Sequence, residues 1–227
     1  MTEPRPRIGV VVFPGSNDDR DAALAVEALG GDPVLVWHAE CHLPDVGAVI
    51  LPGGFSYGDY LRAGAIARFA PVMEGVARFA AGGGAVLGIC NGFQVLCEAG
   101  LLPGALQPNE SLEFICRDVP IRVERADTTL TEQLDPGQLL TIPVKHGDGC
   151  YVRPPGLPEE QVAFRYAGPC NGSADDIAGV VNEHGNILGL MPHPEHAVDP
   201  LFGSADGAPI IAAVVEAART RLLSPTY

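Results

Sequence analysis

A cysteine between two glycines is the feature of this sequence that most clearly suggests chemistry. Cys90 lies in Gly88-Ile-Cys-Asn-Gly92, after an apolar run that suits a buried parallel strand and before apolar residues at near-helical spacing. A turn of this kind projects its nucleophile at the carboxyl end of the strand and directs the first N–H groups of the helix toward developing negative charge. A buried cysteine that only packs as a small hydrophobic residue is the alternative.

A histidine and a carboxylate late in the chain could complete such a site. His193 and Glu195 lie two residues apart in Met191-Pro-His-Pro-Glu195, which we expect to be extended and stiffened by its prolines, with both side chains on one face. One imidazole nitrogen could then contact the carboxylate while the other faces the cysteine. An ordinary proline-rich surface loop is the alternative. Together with Cys90, however, the pair forms the nucleophile, base and orienting carboxylate of a cysteine hydrolase or transferase.

A glycine-rich loop is expected on the same edge of the sheet as Cys90. The apolar run 48–51 leads into Pro52-Gly-Gly54, and glycines at the carboxyl end of a strand let backbone N–H groups approach a ligand closely. This loop could supply one oxyanion donor, with the N–H of Asn91 as the other. A plain tight turn is the alternative.

The elements needed to position these residues predict an α/β protein. Its first part is interpreted as the β-α-β-β opening of a doubly wound, mostly parallel sheet of the flavodoxin-like kind, with helices on both faces. Strands are predicted at 7–13, 34–37, 48–51 and 85–89. A first helix is predicted to follow a cap at Ser16 or Asn17 and to end at Leu29. Further helices are predicted at 60–81 with a break at Pro71, at 91–100 and at 207–223.

The later part of the chain predicts a small antiparallel β portion. The alternating runs 112–117 and 119–124 indicate a hairpin. Further strands are predicted at 139–144, 162–166, 177–182 and 187–191. Because no internal repeat, linker or low-complexity segment interrupts the chain, we expect a single domain over residues 1–227.

Composition and charge limit the classes of function. The chain has 227 residues, of which 47% are hydrophobic and 19% charged, and its formal net charge is −14. The negative charge disfavours nucleic acid or an anionic membrane as the main partner. No apolar run approaches the ~18 residues of a membrane helix, and residues 1–7 lack the apolar stretch of a signal peptide. We therefore expect a cytoplasmic location.

Neither a metal nor a bound cofactor is expected in this chain. The six cysteines are scattered without Cys-x-x-Cys pairs, so they predict neither a disulfide framework nor a zinc site. His38, Cys41 and His42 come nearest to a ligand cluster, but no second pair matches them, and we interpret them as loop residues. The nucleotide-binding P-loop pattern does not occur.

Taken together, the motifs resemble the class I, or triad, glutamine amidotransferases. The shared pattern is the Pro-Gly-Gly loop, the Gly-x-Cys-x-Gly turn followed by Gln94, and the late His-x-Glu pair. Further similar segments, which extend the resemblance over essentially the whole chain, are 53–62, 143–151, 171–173 and 189–195. Two positions depart from the family pattern: His196 replaces a common arginine, and Gly168-Pro-Cys170 replaces a more usual Asn-Pro. Neither departure touches the triad.

The resemblance implies a glutaminase that works through a Cys90 thioester. Cys90 attacks the side-chain amide of glutamine, and His193 protonates the departing ammonia and then activates water. Glu195 holds the imidazole in the required tautomer. Backbone N–H groups of Gly54 and Asn91 are the implied oxyanion donors.

The resemblance also implies which residues contact the substrate glutamine, namely Gln94, His146 and Gly147. Each call has an alternative: Gln94 could serve only helix contacts, and His146 could be a structural turn residue. Lys145, the only lysine of the chain, lies beside that turn and receives no role.

Free ammonia is a poor nucleophile once it is protonated, so such a glutaminase must deliver it to a second active site. The resemblance implies a separate ATP-dependent synthetase subunit, which would carry ATP and Mg, and a small bridging subunit, acting in purine biosynthesis. A glutaminase of pyrimidine nucleotide, tryptophan or guanylate synthesis is one alternative, which the 53–62 loop disfavours. A related stress protein or peptidase is disfavoured because Asn91, not histidine, follows the cysteine. A degenerate structural subunit is disfavoured by the intact triad.

Overall fold

The computed structural model describes residues 4–223 and contains a nine-stranded sheet. Residues 1–3 and 224–227 lie outside the described residues, and with them part of the segment 1–7, in which we expected no signal peptide. The strands are β1 (Arg7–Val12), β2 (Asp32–Trp37), β3 (Ala48–Leu51), β4 (Ala85–Ile89), β5 (Ala105–Gln107), β6 (Ile115–Val123), β7 (Leu139–His146), β8 (Cys150–Val152), β9 (Val162–Tyr166), β10 (Ile177–Val181) and β11 (Ile187–Leu190). The large sheet has the order β2-β1-β3-β4-β11-β10-β9-β6-β7, and β5 pairs with β8 separately.

The parallel half of the sheet brings three strand ends to one edge. β2, β1, β3, β4 and β11 pair in parallel, and β3, β4 and β11 are buried throughout, as expected for strands covered on both faces. The register places Gly88 of β4 between Leu51 of β3 and Gly189 of β11. The segments that follow these three strands, including Cys90, therefore emerge side by side.

The other half of the sheet is antiparallel and continues from β11 through β10, β9, β6 and β7. The predicted α/β class, with a parallel sheet and an antiparallel portion, is confirmed. The hairpin predicted from 112–117 and 119–124 is wrong, because β6 runs through the expected turn and pairs with β7 and β9. Val119, Ile121 and Val123 alternate with exposed residues, so a single strand explains the whole pattern. The sequence analysis does not predict β5 or β8, each of which has only three residues.

The helices lie on both faces of the sheet, as predicted. They are α1 (Asp19–Ala28), α2 (Pro71–Ala81), α3 (Asn91–Glu98) and α4 (Ala208–Leu223). α1 and α4 contact each other and β1, whereas α3 packs against β3, β4 and β11. No helix within residues 4–223 combines the length and the hydrophobicity that crossing a membrane requires.

Two helix boundaries differ from the prediction. Asp18, not Ser16 or Asn17, precedes α1, and Ser16 Oγ accepts a hydrogen bond from the N–H of Phe13 instead. The continuous helix expected over 60–70 is absent: positive φ at Leu61 (72°) and Gly64 (78°) breaks it, and only a short 3-10 turn, Ala67–Phe69, remains.

The expected helix start at Pro71 is confirmed, since this proline occupies the first turn of α2, where its missing N–H costs nothing.

Candidate active site

Cys90 occupies the sharp turn between β4 and α3. Its backbone has φ 50° and ψ −105°, a conformation that is strained for any residue other than glycine and that recurs at functional turns. Its N–H donates to Leu190 O at 2.8 Å, which fixes the turn against β11. The side chain is mostly buried, but it lines a small pocket that also contains His193.

His193 is oriented by Glu195. Its Nδ1 lies 2.7 Å from Glu195 Oε1, and its main-chain N–H donates to Pro143 O at 2.8 Å. The expectation of an extended segment is wrong, because Pro194–His196 forms a 3-10 turn that returns the carboxylate to the ring. Since Nδ1 is committed to Glu195, Nε2 is the nitrogen available to the pocket, and it has no hydrogen-bond partner within residues 4–223.

The charge of His193 follows from its surroundings. Burial disfavours the imidazolium, but the charges of Glu195 and Cys90 outweigh burial and raise the pKa of His193 above its usual range. A protonated His193 beside a cysteine favours the thiolate, which is the reactive form of a sulfur nucleophile.

Two backbone N–H groups are available beside this pair. Within the described chain, the main-chain N–H groups of Gly54 and Asn91 donate to no backbone acceptor in the loops and turns. Asn91 is the first residue of α3, where an N–H has no acceptor inside the helix. Gly54 lies in a loop held in place by the N–H of Phe55, which donates to Gly15 O at 2.8 Å.

The side chains of Asn91 and Gln94 connect α3 to the loops around the pocket. Asn91 Oδ1 accepts the N–H of Ser56 at 3.1 Å, and its Nδ2 donates to Gln94 Oε1 at 2.9 Å. Gln94 Nε2 donates in turn to Asp148 O at 2.6 Å. Gln94 also lines the pocket. Both ends of its amide are therefore engaged with the protein at a position where a ligand could reach it.

His146 is the last residue of β7 and not part of the following turn. Its Nδ1 lies 3.0 Å from Asn109 Oδ1, an oxygen that can only accept, so Nδ1 carries the proton. The orientation of the Asn109 amide is fixed because its Nδ2 donates to His146 O at 2.8 Å. Burial, and then the charge of His193, lower the pKa of His146 to about 4, so the ring is neutral at pH 7. Its buried Nε2 is an acceptor without a partner among residues 4–223, and Gly147 lines the pocket beside it.

Two carboxylates that the sequence analysis does not assign also line the pocket. Asp59 and Asp148 form no salt bridge with a lysine or arginine in the described part of the chain. Burial and the charge of Asp148 raise the pKa of Asp59 to about 6, against the effect of Asn91 Nδ2 at 3.4 Å. This wall of the pocket therefore suits a cation. Both aspartates lie in motifs shared with the family, but their spacing in sequence does not indicate that they meet.

The remaining lining residues come from four segments. They are Asn17, Asp18, Phe55, Phe114 and Lys145.

A cluster of potential metal ligands lies behind His193. Within residues 4–223, the one group with ligand atoms inside 4.8 Å of one another is Asp18, His193, Glu195 and His196. Lys145 Nζ lies 2.5 Å from Asp18 Oδ1, so an ammonium group already supplies positive charge there. Of His38, Cys41 and His42, the possible ligands considered from the sequence, His38 contacts the Tyr57 hydroxyl through Nδ1 at 2.6 Å. We interpret the cluster around Asp18 and His193 as a network of charged groups and not as a metal site.

An α/β sheet that carries a cysteine elbow and a His–Glu pair at one edge defines a cysteine-dependent hydrolase or transferase. Comparison with known proteins makes the class more specific. The chain belongs to the CobB/CobQ-like glutamine amidotransferase domain family, which matches residues 5–208.

Named relatives agree with this assignment over nearly the whole chain. Phosphoribosylformylglycinamidine synthase subunit PurQ of Rubrobacter xylanophilus is 59% identical over 218 residues, which cover 94% of this chain and 99% of the relative. The subunit of the same name from Frankia casuarinae is 57% identical, with coverages of 92% and 93%. A chain in the structure of PurLQS from Thermotoga maritima superimposes with a TM-score of 0.89 at 46% identity, covering 94% of this chain and 99% of that chain.

Proposed function

We propose that this chain is the glutaminase subunit of phosphoribosylformylglycinamidine synthase. It hydrolyses glutamine to glutamate and ammonia and delivers the ammonia to a separate ATP-dependent synthetase subunit, which converts formylglycinamide ribonucleotide to formylglycinamidine ribonucleotide. The observation that carries the proposal is the pocket in which Cys90 lies with the free Nε2 of His193. The identity to PurQ subunits over nearly the full length of both chains supports the choice of synthase.

The first half of the reaction forms a thioester. The Cys90 thiolate attacks the side-chain amide carbon of glutamine, and the amide oxygen takes up the displaced electron pair. Backbone N–H groups of Gly54 and Asn91 stabilise this oxyanion, and the loss of one such donor costs ~3 kcal/mol of barrier in comparable sites. His193 Nε2 then transfers its proton to the amide nitrogen, the C–N bond breaks, and ammonia leaves.

The second half releases glutamate. His193, now neutral, accepts a proton from water, and the resulting hydroxide attacks the thioester carbonyl. Collapse of the second tetrahedral intermediate breaks the C–S bond and restores the thiolate beside the imidazolium. Glu195 contacts Nδ1 at 2.7 Å, so it keeps the exchanging proton on Nε2 and stabilises the imidazolium in both halves.

The pocket walls suit the amino-acid end of glutamine. The carboxylates of Asp59 and Asp148 match its α-ammonium group, and the unprotonated Nε2 of His146 is a neutral acceptor on the same wall. Gly147 offers backbone groups there. Gln94 holds the loop at Asp148 and lines the same pocket.

The partners in this proposal are the synthetase subunit and a small bridging subunit. Support comes from the Thermotoga maritima relative, whose structure is described as PurLQS. ATP and Mg bind to the synthetase, and this chain holds no metal or cofactor of its own. Six free cysteines fit a reducing cytoplasm, where we place the protein. We also propose that residues 1–227 form a single domain.

The test is glutamate release from glutamine by this chain, alone and mixed with the matching synthetase and small subunit, with Cys90→Ala as the control. We expect activity to rise sharply in the mixture and to vanish in the control. Full activity that is indifferent to both partners would retain the glutaminase and reject the synthase assignment. Activity that survives in Cys90→Ala would reject the nucleophile.

A further inference from the structure

A second carboxylate lies beside His193, on the same ring nitrogen that Glu195 contacts. Asp18 Oδ2 is 3.7 Å from His193 Nδ1, while Glu195 Oε1 is 2.7 Å from it. The Asp18 side chain is only 5% exposed, and its position preceding α1 makes no capping hydrogen bond. A carboxylate buried this deeply needs partners, and helix capping does not provide them.

The partners are Lys145 and His196. Lys145 Nζ lies 2.5 Å from Asp18 Oδ1 and 2.9 Å from His196 Nε2. His196 Nε2 also lies 3.3 Å from Asp18 Oδ1, so both groups contact the same carboxylate oxygen. Burial opposes ionisation of Asp18, but His196, His193 and Lys145 together hold the pKa of this carboxyl well below its usual range. One oxygen of an ionised Asp18 is therefore bound by Lys145, and the other faces His193.

The backbone leaves space for this approach at Gly53. A Cβ atom there would overlap with Asp18 Oδ2 and with His193 Cε1, so only glycine allows the carboxylate and the ring to meet. The main-chain N–H of Asp18 donates to Gly53 O at 3.2 Å. The loop that carries Gly54, the start of α1 and the imidazole are thus held together at one point.

The polar groups around His193 include two carboxylates, those of Glu195 and Asp18. The groups that face the ring, or lie directly behind those that do, are Cys90, His146, Glu195, Asp18, His196 and Lys145. With Cys90 as the thiolate and His193 as the imidazolium, the Asp18 carboxylate places a second negative charge beside the ring, and the Lys145 ammonium group pairs with its other oxygen. Lys145 also approaches the nucleophile, since its carbonyl oxygen lies 3.8 Å from Cys90 Sγ.

We propose that Asp18, held by Lys145 and His196, is a positioning residue that stabilises the imidazolium form of His193 together with Glu195. The inference rests on the proposed glutaminase function, and it assigns a role to the one lysine of the chain. Asp18 contacts no reacting atom in this mechanism. It acts through His193 by favouring the thiolate–imidazolium pair from which each reaction cycle begins.

The test measures the midpoint pH at which His193 loses its proton, followed by the NMR shifts of its imidazole ring in the full chain. In Asp18→Asn this midpoint should move downward by about one pH unit, because an opposite charge within ~4–6 Å contributes shifts of ~1–3 units and Asp18 Oδ2 lies 3.7 Å from His193 Nδ1. Asp19→Asn, which removes the same charge from the adjacent position of α1, should match the wild type. In the assembled complex, kcat of Asp18→Asn should fall about tenfold with KM for glutamine unchanged.

A midpoint of Asp18→Asn equal to those of the wild type and Asp19→Asn would overturn the inference, even if the variant melted at a lower temperature. If Asp18→Asn does not fold because Lys145 is left unpaired, the double variant Asp18→Asn/Lys145→Met removes both charges. Its midpoint should still move downward, since the carboxylate lies between Lys145 and His193, and an unchanged midpoint again overturns the inference. Glutaminase activity that survives in Cys90→Ala would instead reject the proposed function.

Discussion

Replacing Gly54 with alanine should separate the chemistry of the loop from its stability. A Cβ atom at Gly54 would lie 2.7 Å from Asn17 N, 2.7 Å from Gly15 O and 2.8 Å from Ser16 Cα. These distances are roughly 1 Å below the ~3.5–4.0 Å optimum for non-bonded atoms, and all three partners are backbone atoms. The loop must therefore move by a comparable amount, because the bond from Phe55 N to Gly15 O at 2.8 Å holds the two segments together.

A displacement of this size should remove the Gly54 N–H from the oxyanion. We expect kcat to fall about 10²–10³-fold, equivalent to ~3–4 kcal/mol, with a small change in KM. Because Gly54 has a positive φ of 147°, the alanine side chain should separately lower the free energy of unfolding by ~1–3 kcal/mol. Gly203→Ala isolates that second cost, because Gly203 has φ 113° and nothing within 4 Å of an added Cβ.

The assay compares glutamate release by the assembled complex with thermal unfolding of each variant. Both variants should lower the melting temperature by several degrees, as expected for ~1–3 kcal/mol in a chain of this size. Only Gly54→Ala should lose activity at temperatures where it is fully folded. If folded Gly54→Ala turns over glutamine at the wild-type rate, Gly54 is not an oxyanion donor.

Three further predictions test other parts of the pocket. Asp59→Asn should raise KM for glutamine about tenfold at pH 7.5 with little effect on kcat. Because the pKa of Asp59 is about 6, the wild-type KM should rise as pH falls through 6, whereas the variant KM should not. Parallel pH profiles of KM would contradict the contact with the α-ammonium group. Glu195→Gln should lower kcat ~10²–10⁴-fold while Cys90 stays in the pocket, which single-turnover kinetics and alkylation of Cys90 would check. Asn91→Ala leaves the buried N–H of Ser56 without its acceptor and should cost ~1–3 kcal/mol in urea unfolding; a loss below 0.5 kcal/mol would show that this bond does not hold the loop.

The strand positions and the Cys90 turn could be predicted from local sequence because each depends on neighbours along the chain. Continuous apolar runs mark strands buried on both faces, and paired glycines permit a sharp turn between strand and helix. The 3-10 turn at Pro194–His196 could not be predicted in this way. Two prolines suggest extension, whereas in the structure His193 N donates to Pro143 O of β7 and the segment closes into a 3-10 turn through the bond from Ala197 N to Pro194 O.

The strand β6 illustrates the same limit. Its local pattern, with polar residues between two apolar runs, suits a hairpin as well as a strand. β7 pairs with residues 115–122 of β6, including those at the expected turn, and β9 pairs with residues 121–123, so the strand continues without a turn.

By itself, the sequence determined the α/β class, the identity of the nucleophile and the candidate base and carboxylate, because these follow from residue type and short spacing. Only the tertiary structure decided that Asp18 and Lys145, 127 positions apart, meet at 2.5 Å behind His193. The same holds for Asp59 and Asp148, which share a pocket wall. Electrostatic partners are selected by distance in space, and the sheet register, which aligns the ends of β3, β4 and β11, sets those distances.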